Sequence, residues 1–527
     1  MYWADRKVDE IEKGLKDSLA SGKEVVIRDE KTASGRVHVG SMRGVAIHAI
    51  LERIMQERGH NAKFYYEIND TDPMDGLPSY LDAAEWEQHM GKQLKSIPSP
   101  DGKAANFAEY FGQEFIDVIE ASGFHPVFYR ASELYDSGRM NDVITIALQN
   151  PDKIRSIYKE VSGSEKDADW LPVNVVCEEC GKIGTTKAIS FDGNEVEYVC
   201  QENAVEWAKG CGHKGKVSPY DGNGALPWKV EWAAKWKVMN VEVEAAGKDH
   251  MTKGGSHDTS RRISEEVFEY KTPFAFSYEF FLVGGAKMSS SKGNASTSKE
   301  VADLVPRQIF RLSHLGKDVK QAFNFDPDGD TIPLLYDQYD RIAQMYWDGK
   351  EDDNARTFFL IHSDPEDKEL LNERFLPRFS QIAFLVQMTH LNLEEEVAAM
   401  KGSELTEADL RELNERAEYA RLWLQKHAAP AYRFELQETL PEAASALSDE
   451  QKQALKLLGN KVAALTEYDG QTMHTMLHET KEESGLEPKD FFSALYTVFL
   501  AKDSGPKAGW FLSTLPQDFV VARLSEV

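Results

Sequence analysis

Cysteine, positive charge and long apolar runs are all scarce in this sequence. Only four of its 527 residues are cysteine, and 61 lysines and arginines stand against 88 aspartates and glutamates, giving a net charge of −27. This balance excludes a generally basic nucleic-acid-binding surface, so any contact with RNA requires a local basic patch. No run of about 18 apolar residues is present, and we expect no membrane contact.

The N-terminal segment, residues 1–7, is too polar for a secretory signal, so we expect a cytoplasmic protein. Hydrophobic residues make up 41% of the chain and charged residues 28%, which is typical of a globular protein. The length predicts two to four domains.

The four cysteines lie close together in the sequence. They are Cys177, Cys180, Cys200 and Cys211. The first two form a C-x-x-C pair whose thiolates can share one metal ion, and without an export signal a metal site is favoured over disulfides. A closed set of thiolates is typical of structural zinc. Either Cys211 or His213 completes the set, with Cys211 preferred.

The first hundred residues carry the signal for the fold class. Residues 24–28 predict a buried strand, residues 41–58 an amphipathic helix that ends at Gly59, and residues 62–68 a second strand. A strand–helix–strand unit is the start of an α/β fold with a doubly wound parallel sheet. After about residue 335, leucine, alanine and glutamate recur with helical spacing, which predicts a separate all-helical domain.

We predict five segments along the chain. They are the first half of a Rossmann domain at 1–73, a connective insertion at 74–172, a zinc-ribbon-like module at 173–217, the second half of the Rossmann domain at 218–335, and an all-helical domain at 336–527.

The tract from Thr32 to Ser41 suits a phosphate-binding turn. A glycine-bearing turn that opens a helix presents free N–H groups and the positive end of the helix dipole to an anion. His38 is placed to donate to phosphate oxygens in a transition state, and Gly40 leaves room for a planar base. The alternative is that His38 is a structural histidine. The predicted ATP-binding residues of this tract are Ser34, Gly35, His38, Gly40 and Ser41.

A second tract, residues 287–294, suits a loop that closes over ATP. Breaking the α–β phosphate bond releases pyrophosphate, and positioning and positive charge account for most catalysis of such transfers. Glycines before and after the tract predict hinges, whereas the alternative is a solvated linker. The predicted catalytic lysines are Lys287 and Lys292, and the other predicted ATP-binding residues are Met288, Ser289, Ser290 and Ser291.

The two tracts together resemble the signature motifs of class I aminoacyl-tRNA synthetases, and more specifically the class I, archaeal-type lysyl-tRNA synthetases. Further tracts resemble that family through most of the chain. They are residues 230–236, 246–250, 278–280, 487–492 and 505–507. One departure is Glu30, because the family usually has glycine there. A second is Ser290, which stands where the commonest form of the motif has lysine.

The resemblance implies a Rossmann catalytic domain with an insertion and a helical anticodon-binding domain. It also implies ligation of lysine to tRNA(Lys) through lysyl-adenylate, consuming ATP and releasing AMP and pyrophosphate. Mg²⁺ is expected with ATP, tRNA and lysine are the expected partners, and we expect a monomer. By resemblance, the lysine pocket is lined by Thr32, Trp232, His250 and Tyr278. Glu30, Asp249 and Glu279 are all conceivable partners of the lysine ammonium.

Two further surfaces are candidates for RNA contact. Lysines around the cysteines form a basic patch that contacts RNA or is merely solvated. In the helical domain, Phe491, Phe492, Tyr496, Trp510 and Phe511 are candidates for stacking on bases, with core packing as the alternative.

The main competing hypotheses keep the fold. They are a glutamyl-type class I synthetase and a non-catalytic tRNA-binding paralogue. A relative of pantothenate synthetase is a weaker alternative.

Overall fold

The computed structural model describes residues 1–285, 296–388 and 390–527. These residues form two compact units. Unit 1 comprises residues 1–325 and 341–372, and unit 2 comprises residues 326–340 and 373–527. Among the described residues, no helix is both long enough and apolar enough to cross a bilayer.

All thirteen strands of the described chain lie in unit 1. In chain order they are β1 (Val25–Thr32), β2 (Ala62–Asn69), β3 (Val127–Arg130), β4 (Asn174–Val175), β5 (Thr186–Phe191), β6 (Val196–Cys200), β7 (Lys214–Val217), β8 (Gly224–Ala225), β9 (Val241–Val243), β10 (Ala246–Gly247), β11 (Ser277–Tyr278), β12 (Phe281–Val283) and β13 (Phe323–Phe325).

The first fourteen helices of the described residues belong wholly or partly to unit 1. They are α1 (Trp3–Gly14), α2 (Lys16–Ala20), α3 (Met42–Glu57), α4 (Ala83–Trp86), α5 (Phe107–Ala121), α6 (Ala131–Asp136), α7 (Asn141–Gln149), α8 (Pro151–Ser162), α9 (Trp228–Met239), α10 (Ser256–Glu266), α11 (Ser298–Ala302), α12 (Arg307–Leu315), α13 (Thr331–Trp347) and α14 (Asp353–Ile361). Helix α13 is divided between the units after residue 340.

A parallel sheet in the order β3-β2-β1-β9 forms the centre of unit 1, which confirms the predicted α/β fold. In its register, Glu30 lies opposite Glu67 and Thr32 opposite Asn69. Helix α3 packs against β1 and β2, and α9 packs against β9. The apolar stripe of α3 is buried because it faces the sheet. Strand β3 lies within residues 74–172 and pairs with β2.

Smaller sheets extend unit 1. Strands β10 and β11 pair in parallel, as do β12 and β13. Strands β5, β6 and β7 form an antiparallel sheet that carries part of the cysteine module, and β4 pairs antiparallel with β8. The module is therefore a small β structure of its own within the α/β unit.

The described residues of unit 2 form helices and connecting segments and no strand, as predicted. Besides the first part of α13, its helices are α15 (Phe379–Leu385), α16 (Leu393–Lys401), α17 (Glu407–Lys426), α18 (Asp449–Ala463), α19 (Gly470–Ser484), α20 (Pro488–Leu500), α21 (Ala508–Ser513) and α22 (Gln517–Ser525). Its core is apolar and includes Leu455, Leu458 and Leu495. Helix α19 packs against α21, and α18 packs against α22.

Candidate functional site

A cavity of about 460 Å³ opens at the carboxyl ends of β1 and β2, where ligands bind in sheets of this kind. All four residues predicted for the lysine pocket line it. They are Thr32, Trp232, His250 and Tyr278. Of the first predicted ATP tract, His38, Gly40 and Ser41 also line the cavity, whereas Ser34 and Gly35 are not among its lining residues.

The turn between β1 and α3 holds His38 at the mouth of the helix. Gly40 is required there, because a Cβ at this position would lie 2.9 Å from Nδ1 of His38. Ser41 occupies the N-cap position of α3, but its side chain makes no capping hydrogen bond. The N–H groups at the start of the helix therefore donate no hydrogen bond to that hydroxyl.

The two sequence tracts meet in the structure at the edges of the second one. The backbone N–H of Ser298 donates to the carbonyl of Val37 at 2.8 Å, directly before His38. On the other side, the N–H of Gly285 donates to Oδ1 of Asn324 at 2.7 Å. The predicted loop residues between these anchors lie outside the described residues. They are Lys287, Met288, Ser289, Ser290, Ser291 and Lys292.

A buried charge network underlies the cavity. The guanidinium of Arg28 contacts Glu67 at 2.9 Å and Glu244 at 3.0 Å, and it also pairs with Glu30. Lys235 contacts Glu67 as well. Burial opposes ionisation of Glu67, but Lys235 and Arg28 outweigh it and lower the pKa of this carboxyl.

Lys235 also contacts Glu231 at 3.0 Å. The network therefore sets four carboxylates, Glu30, Glu67, Glu231 and Glu244, against two cations. Burial raises the pKa of Glu231 and Glu244. A cationic ligand in the cavity is favoured because it stabilises the ionised forms of these carboxyls.

Glu244 fixes two indole rings beside the cavity. It accepts hydrogen bonds from Nε1 of Trp232 at 2.9 Å and from Nε1 of Trp236 at 2.7 Å. Burial raises the pKa of Glu244 to about 7, in spite of the opposing charge of Arg28. Trp232 is therefore held in orientation by a hydrogen bond as well as by packing.

Asp72 is a second side chain with a raised pKa, and it lies at the carboxyl ends of β1 and β2. The hydroxyl of Thr32 donates to Oδ2 of Asp72 at 2.6 Å. Burial and the nearby charge of Glu231 raise the pKa of Asp72 to about 7. The sequence signal for Asp72 was the acidic run after β2, which marks the end of a parallel strand but does not show which carboxylate faces the cavity.

The structure distinguishes the three carboxylates that the sequence left as candidate partners of the lysine ammonium. Glu30 lines the cavity but is paired with Arg28, and Asp249 lies at its exposed rim. Glu279 is not among the lining residues and pairs with Lys248 at 2.7 Å. Sequence reasoning missed Asp29, Asp72, Glu231 and Glu244, all of which line the cavity.

The four cysteines come together in a separate cluster of unit 1. Their sulfur atoms all lie within 4.8 Å of one another, with Cys177 and Cys211 at 3.6 Å and Cys180 and Cys200 at 3.7 Å. Tetrahedral zinc with Zn–S bonds of about 2.3 Å requires sulfurs about 3.8 Å apart, so the donor set fits this metal. His213 is not part of the cluster, and its ring lies 6.1 Å from that of Tyr198.

The lysines around the cysteines are partly neutralised. Lys187 contacts Asp167 and Asp169, and Lys216 contacts Asp192 and Glu195. Ion pairs of this kind reduce the positive field that a phosphate backbone would meet. The geometry does not favour this patch as an RNA-binding surface.

The aromatic candidates of unit 2 differ sharply in exposure. Phe491 and Phe511 are fully buried, Tyr496 is buried and Phe492 is half-buried. Trp510 is 58% exposed. Core packing therefore accounts for three of the five candidates, and Trp510 is the one with a large exposed ring.

Known proteins are similar to this chain along its whole length. A family model described as "tRNA synthetases class I (K)" matches residues 1–364, and one described as "Anticodon binding domain" matches residues 371–527. A lysine–tRNA ligase of Methanosarcina barkeri is 32% identical over 546 residues, covering 100% of this chain and 97% of the relative. Lysine–tRNA ligases of Methanocaldococcus jannaschii and Thermoplasma acidophilum are also 32% identical and cover 100% of this chain and 99% of each relative. The chain belongs to the class I lysyl-tRNA synthetases.

Proposed function

We propose that the chain ligates lysine to tRNA(Lys) in two steps. In the first, a carboxylate oxygen of lysine attacks the α-phosphorus of ATP, forming lysyl-adenylate and releasing pyrophosphate. In the second, a hydroxyl of the terminal ribose of the tRNA attacks the lysyl carbonyl carbon and AMP leaves. The observation that carries this proposal is the single cavity lined by the His38 turn and by all four residues predicted to bind lysine.

The charges of the cavity support lysine over glutamate. Six carboxylate side chains line it, against the two cationic side chains Lys31 and Arg43. Arg28 and Lys235, which are not lining residues, pair with three of the six. The carboxylates are Asp29, Glu30, Asp72, Glu231, Glu244 and Asp249. A second negative charge on the substrate would be repelled here, whereas an ammonium gains from the same field. The geometry therefore gives no support to the glutamyl-type alternative.

His38 and the lysine-bearing loop act on the phosphates in this proposal. The imidazole donates a hydrogen bond to charge that develops on the α-phosphate, and Gly40 leaves the space that the ring needs. Lys287 and Lys292 neutralise the leaving pyrophosphate, with Mg²⁺ as the expected partner of ATP. The anchors at Gly285 and Ser298 tie both ends of the loop to β13 and to the His38 turn.

The cysteine cluster has a structural role in the proposal. The four thiolates hold one zinc ion, which cross-links the module between residues 177 and 211. The site offers no open position for a substrate, because four protein ligands complete the tetrahedron. We therefore assign it no part in the chemistry.

Trp510 is the proposed stacking platform for an unpaired tRNA base. Its indole lies against the first residue of α19, where a Cβ on Gly470 would be only 2.5 Å from the ring. The ring therefore packs against α19 on one side, while 58% of the residue stays accessible. Exposed aromatic rings that are held rigidly bind unstacked bases with little loss of entropy. Lys507, which is exposed next to α21, supplies a cation for the adjacent phosphate.

The test is ATP–pyrophosphate exchange with each amino acid in turn, with and without total tRNA. Exchange that depends on lysine supports the proposal, and its appearance only with tRNA would show that tRNA binding is coupled to activation. Exchange with glutamate would move the chain to the alternative specificity. Absence of exchange from folded, zinc-loaded protein would favour a non-catalytic tRNA-binding role.

A further inference from the structure

We propose that Asp29 is the carboxylate that receives the side-chain ammonium of the substrate, and that it is the specificity-determining residue of the cavity. This inference rests on the proposed function and names the group that distinguishes lysine from an uncharged amino acid of similar shape. It arises from the positions and partners of the carboxylates that line the cavity.

Most of the other carboxylates in the cavity already have strong partners. Glu30 pairs with Arg28, and Glu231 pairs with Lys235 and accepts a hydrogen bond from the hydroxyl of Tyr135. Glu244 accepts bonds from Arg28 and from two indoles. An ammonium bound to any of these would have to compete with a buried cation or displace a buried donor, which is costly.

Asp29 lies on the opposite face of β1 from this network. Successive side chains of a strand point to opposite faces, so Arg28 and Glu30 face the buried charges while Asp29 faces α3. The Asp29 side chain is 15% exposed. Oδ1 accepts the backbone N–H of Glu30 at 2.8 Å, which fixes the orientation of the carboxylate.

The nearest basic group to Asp29 is His48, at 3.4 Å from Oδ2. Burial lowers and Asp29 raises the pKa of His48, with a net rise. Its Nε2, however, accepts the backbone N–H of Ala245 at 2.8 Å, and its Nδ1 lies 2.8 Å from the carbonyl of Gly44. Protonating Nε2 would turn an N–H towards another N–H in a buried site, so this ring stays neutral and adds no positive charge beside Asp29.

Lys31 follows Asp29 on the same face of β1. Across the described residues, no lysine or arginine nitrogen lies within 4 Å of the Asp29 carboxylate. Burial lowers the pKa of Lys31 against the opposing pull of Asp29 and Asp72. The Asp29 carboxylate therefore lines the cavity without a lysine or arginine in contact among the described residues, and it can receive an ammonium from the substrate.

Gly44 creates the space in which this carboxylate sits. Gly44 lies in the first turn of α3, and a Cβ there would collide with Oδ2 of Asp29 and lie 2.8 Å from the hydroxyl of Tyr278. Two oxygen atoms thus converge on one glycine that has no side chain. Glycine inside a helix costs about 1 kcal/mol relative to alanine, so its presence here serves the pocket and not the helix.

The position of Asp29 matches the far end of the substrate. Asp72 accepts a hydrogen bond from Thr32 at the carboxyl ends of β1 and β2. The His38 turn, where ATP is proposed to bind, follows β1 at this end. Asp29 precedes Thr32 by three residues along β1, so it lies farther from the ATP end of the strand, and both residues line the cavity. The reacting carboxylate of lysine must lie at the ATP end, so its side chain extends towards Asp29.

The test compares Asp29→Asn and Gly44→Ala with the unaltered chain. Asp29→Asn removes the charge and keeps the shape, whereas Gly44→Ala keeps the charge and displaces the carboxylate. Each variant is assayed by lysine-dependent exchange with saturating tRNA, and norleucine, which lacks only the ammonium, is the second substrate. Asp142→Asn on the exposed start of α7 is the matched control, and thermal unfolding checks the fold of every variant.

We expect Asp29→Asn to raise the KM for lysine about 100-fold, to leave the KM for ATP unchanged, and to reduce the preference for lysine over norleucine by a similar factor. Gly44→Ala should shift the same quantities in the same direction, because the added Cβ displaces the Asp29 carboxylate. Unchanged lysine KM in Asp29→Asn would overturn the inference, as would equal rises in both KM values. If Asp72→Asn, and not Asp29→Asn, lost the discrimination against norleucine, the ammonium-binding role would belong to Asp72. Absence of lysine-dependent exchange in the unaltered chain would instead contradict the proposed function itself.

Discussion

The backbone N–H of Val39 donates a hydrogen bond to the carbonyl of Ser296 at 3.2 Å. Val39 follows the histidine of the first tract, and Ser296 follows the lysine-bearing second tract closely. Two segments that are far apart in sequence are therefore joined by backbone bonds at the edge of the cavity. A substitution in the turn around His38 is therefore expected to affect the second tract, and a substitution in the second tract is expected to affect the turn.

Gly40→Ala is expected to reduce the rate of adenylate formation as strongly as removal of the imidazole in His38→Ala. The added Cβ would lie 2.9 Å from Nδ1 of His38 and 3.4 Å from the carbonyl of Phe281, so the ring must move. Loss of one donor to a developing charge costs about 100- to 1,000-fold in kcat. Exchange kinetics should show this fall in kcat with little change in the KM for lysine. A normal kcat in Gly40→Ala would show that the position of the ring is unimportant.

One zinc ion per chain is expected, held by the four thiolates. Cys200→Ser should lose the metal and lower the unfolding temperature, because a buried ligand is removed and structural zinc contributes directly to folding. His213→Ala should retain the metal. Zinc content by atomic spectroscopy and thermal unfolding check both variants. Retention of zinc in Cys211→Ala together with its loss in His213→Ala would make the histidine the fourth ligand.

Trp510→Ala is expected to raise the KM for tRNA by roughly 5- to 100-fold, in line with about 1–3 kcal/mol for a stacked base. Trp510→Phe should recover part of the loss, since it keeps an aromatic face. Leu334→Ala is the matched control, because Leu334 is also an exposed apolar side chain of unit 2, at 61%. Aminoacylation at varied tRNA concentration measures the effect. An equal change in the control would mean that exposed apolar area, and not stacking, supports the affinity.

Sequence patterns located the regular elements well where apolar periodicity was strong. The predicted helix at residues 41–58 is Met42–Glu57, and the strand at 62–68 is Ala62–Asn69. Residues 238–244 have a sheet-like apolar pattern, but the sheet structure does not begin at residue 238. Residues 238 and 239 complete α9, and Asn240, with φ of 53°, turns the chain into the short strand Val241–Val243. Asparagine tolerates this left-handed conformation, which hides the boundary from a hydropathy pattern.

The cavity was less predictable than the fold. Residues 274–283 read as one strand, but the structure splits them into Ser277–Tyr278 and Phe281–Val283 in two different sheets. Asp29 and Gly44 carry no local signal, because their relation depends on which face of β1 lies against α3. Glu279 was a candidate by charge alone, and its pairing with Lys248 depends on a fold that spacing does not reveal.

Asp72→Asn is expected to change how stability depends on pH. Burial and Glu231 raise the pKa of Asp72 to about 7 in the folded chain, above the ordinary value of 3.8. The folded state therefore holds this proton more tightly than the unfolded state. The stabilisation it provides is fully present below about pH 4 and is lost as pH rises through 7. An asparagine is neutral at every pH. The free energy of unfolding of the variant therefore rises relative to that of the unaltered chain, by roughly 2–4 kcal/mol between pH 4 and pH 8.

Chemical unfolding at several pH values measures this difference. Groups other than Asp72 titrate in both chains, so their contributions largely cancel in the comparison. The amide oxygen of the asparagine can still accept the hydrogen bond from Thr32, and any change in its strength acts at every pH and does not alter the slope. A stability difference that stays constant between pH 4 and pH 8 would show that Asp72 is ionised in the folded chain at all these values. Its neighbour Glu231 would then not impose the repulsion that the cavity geometry requires.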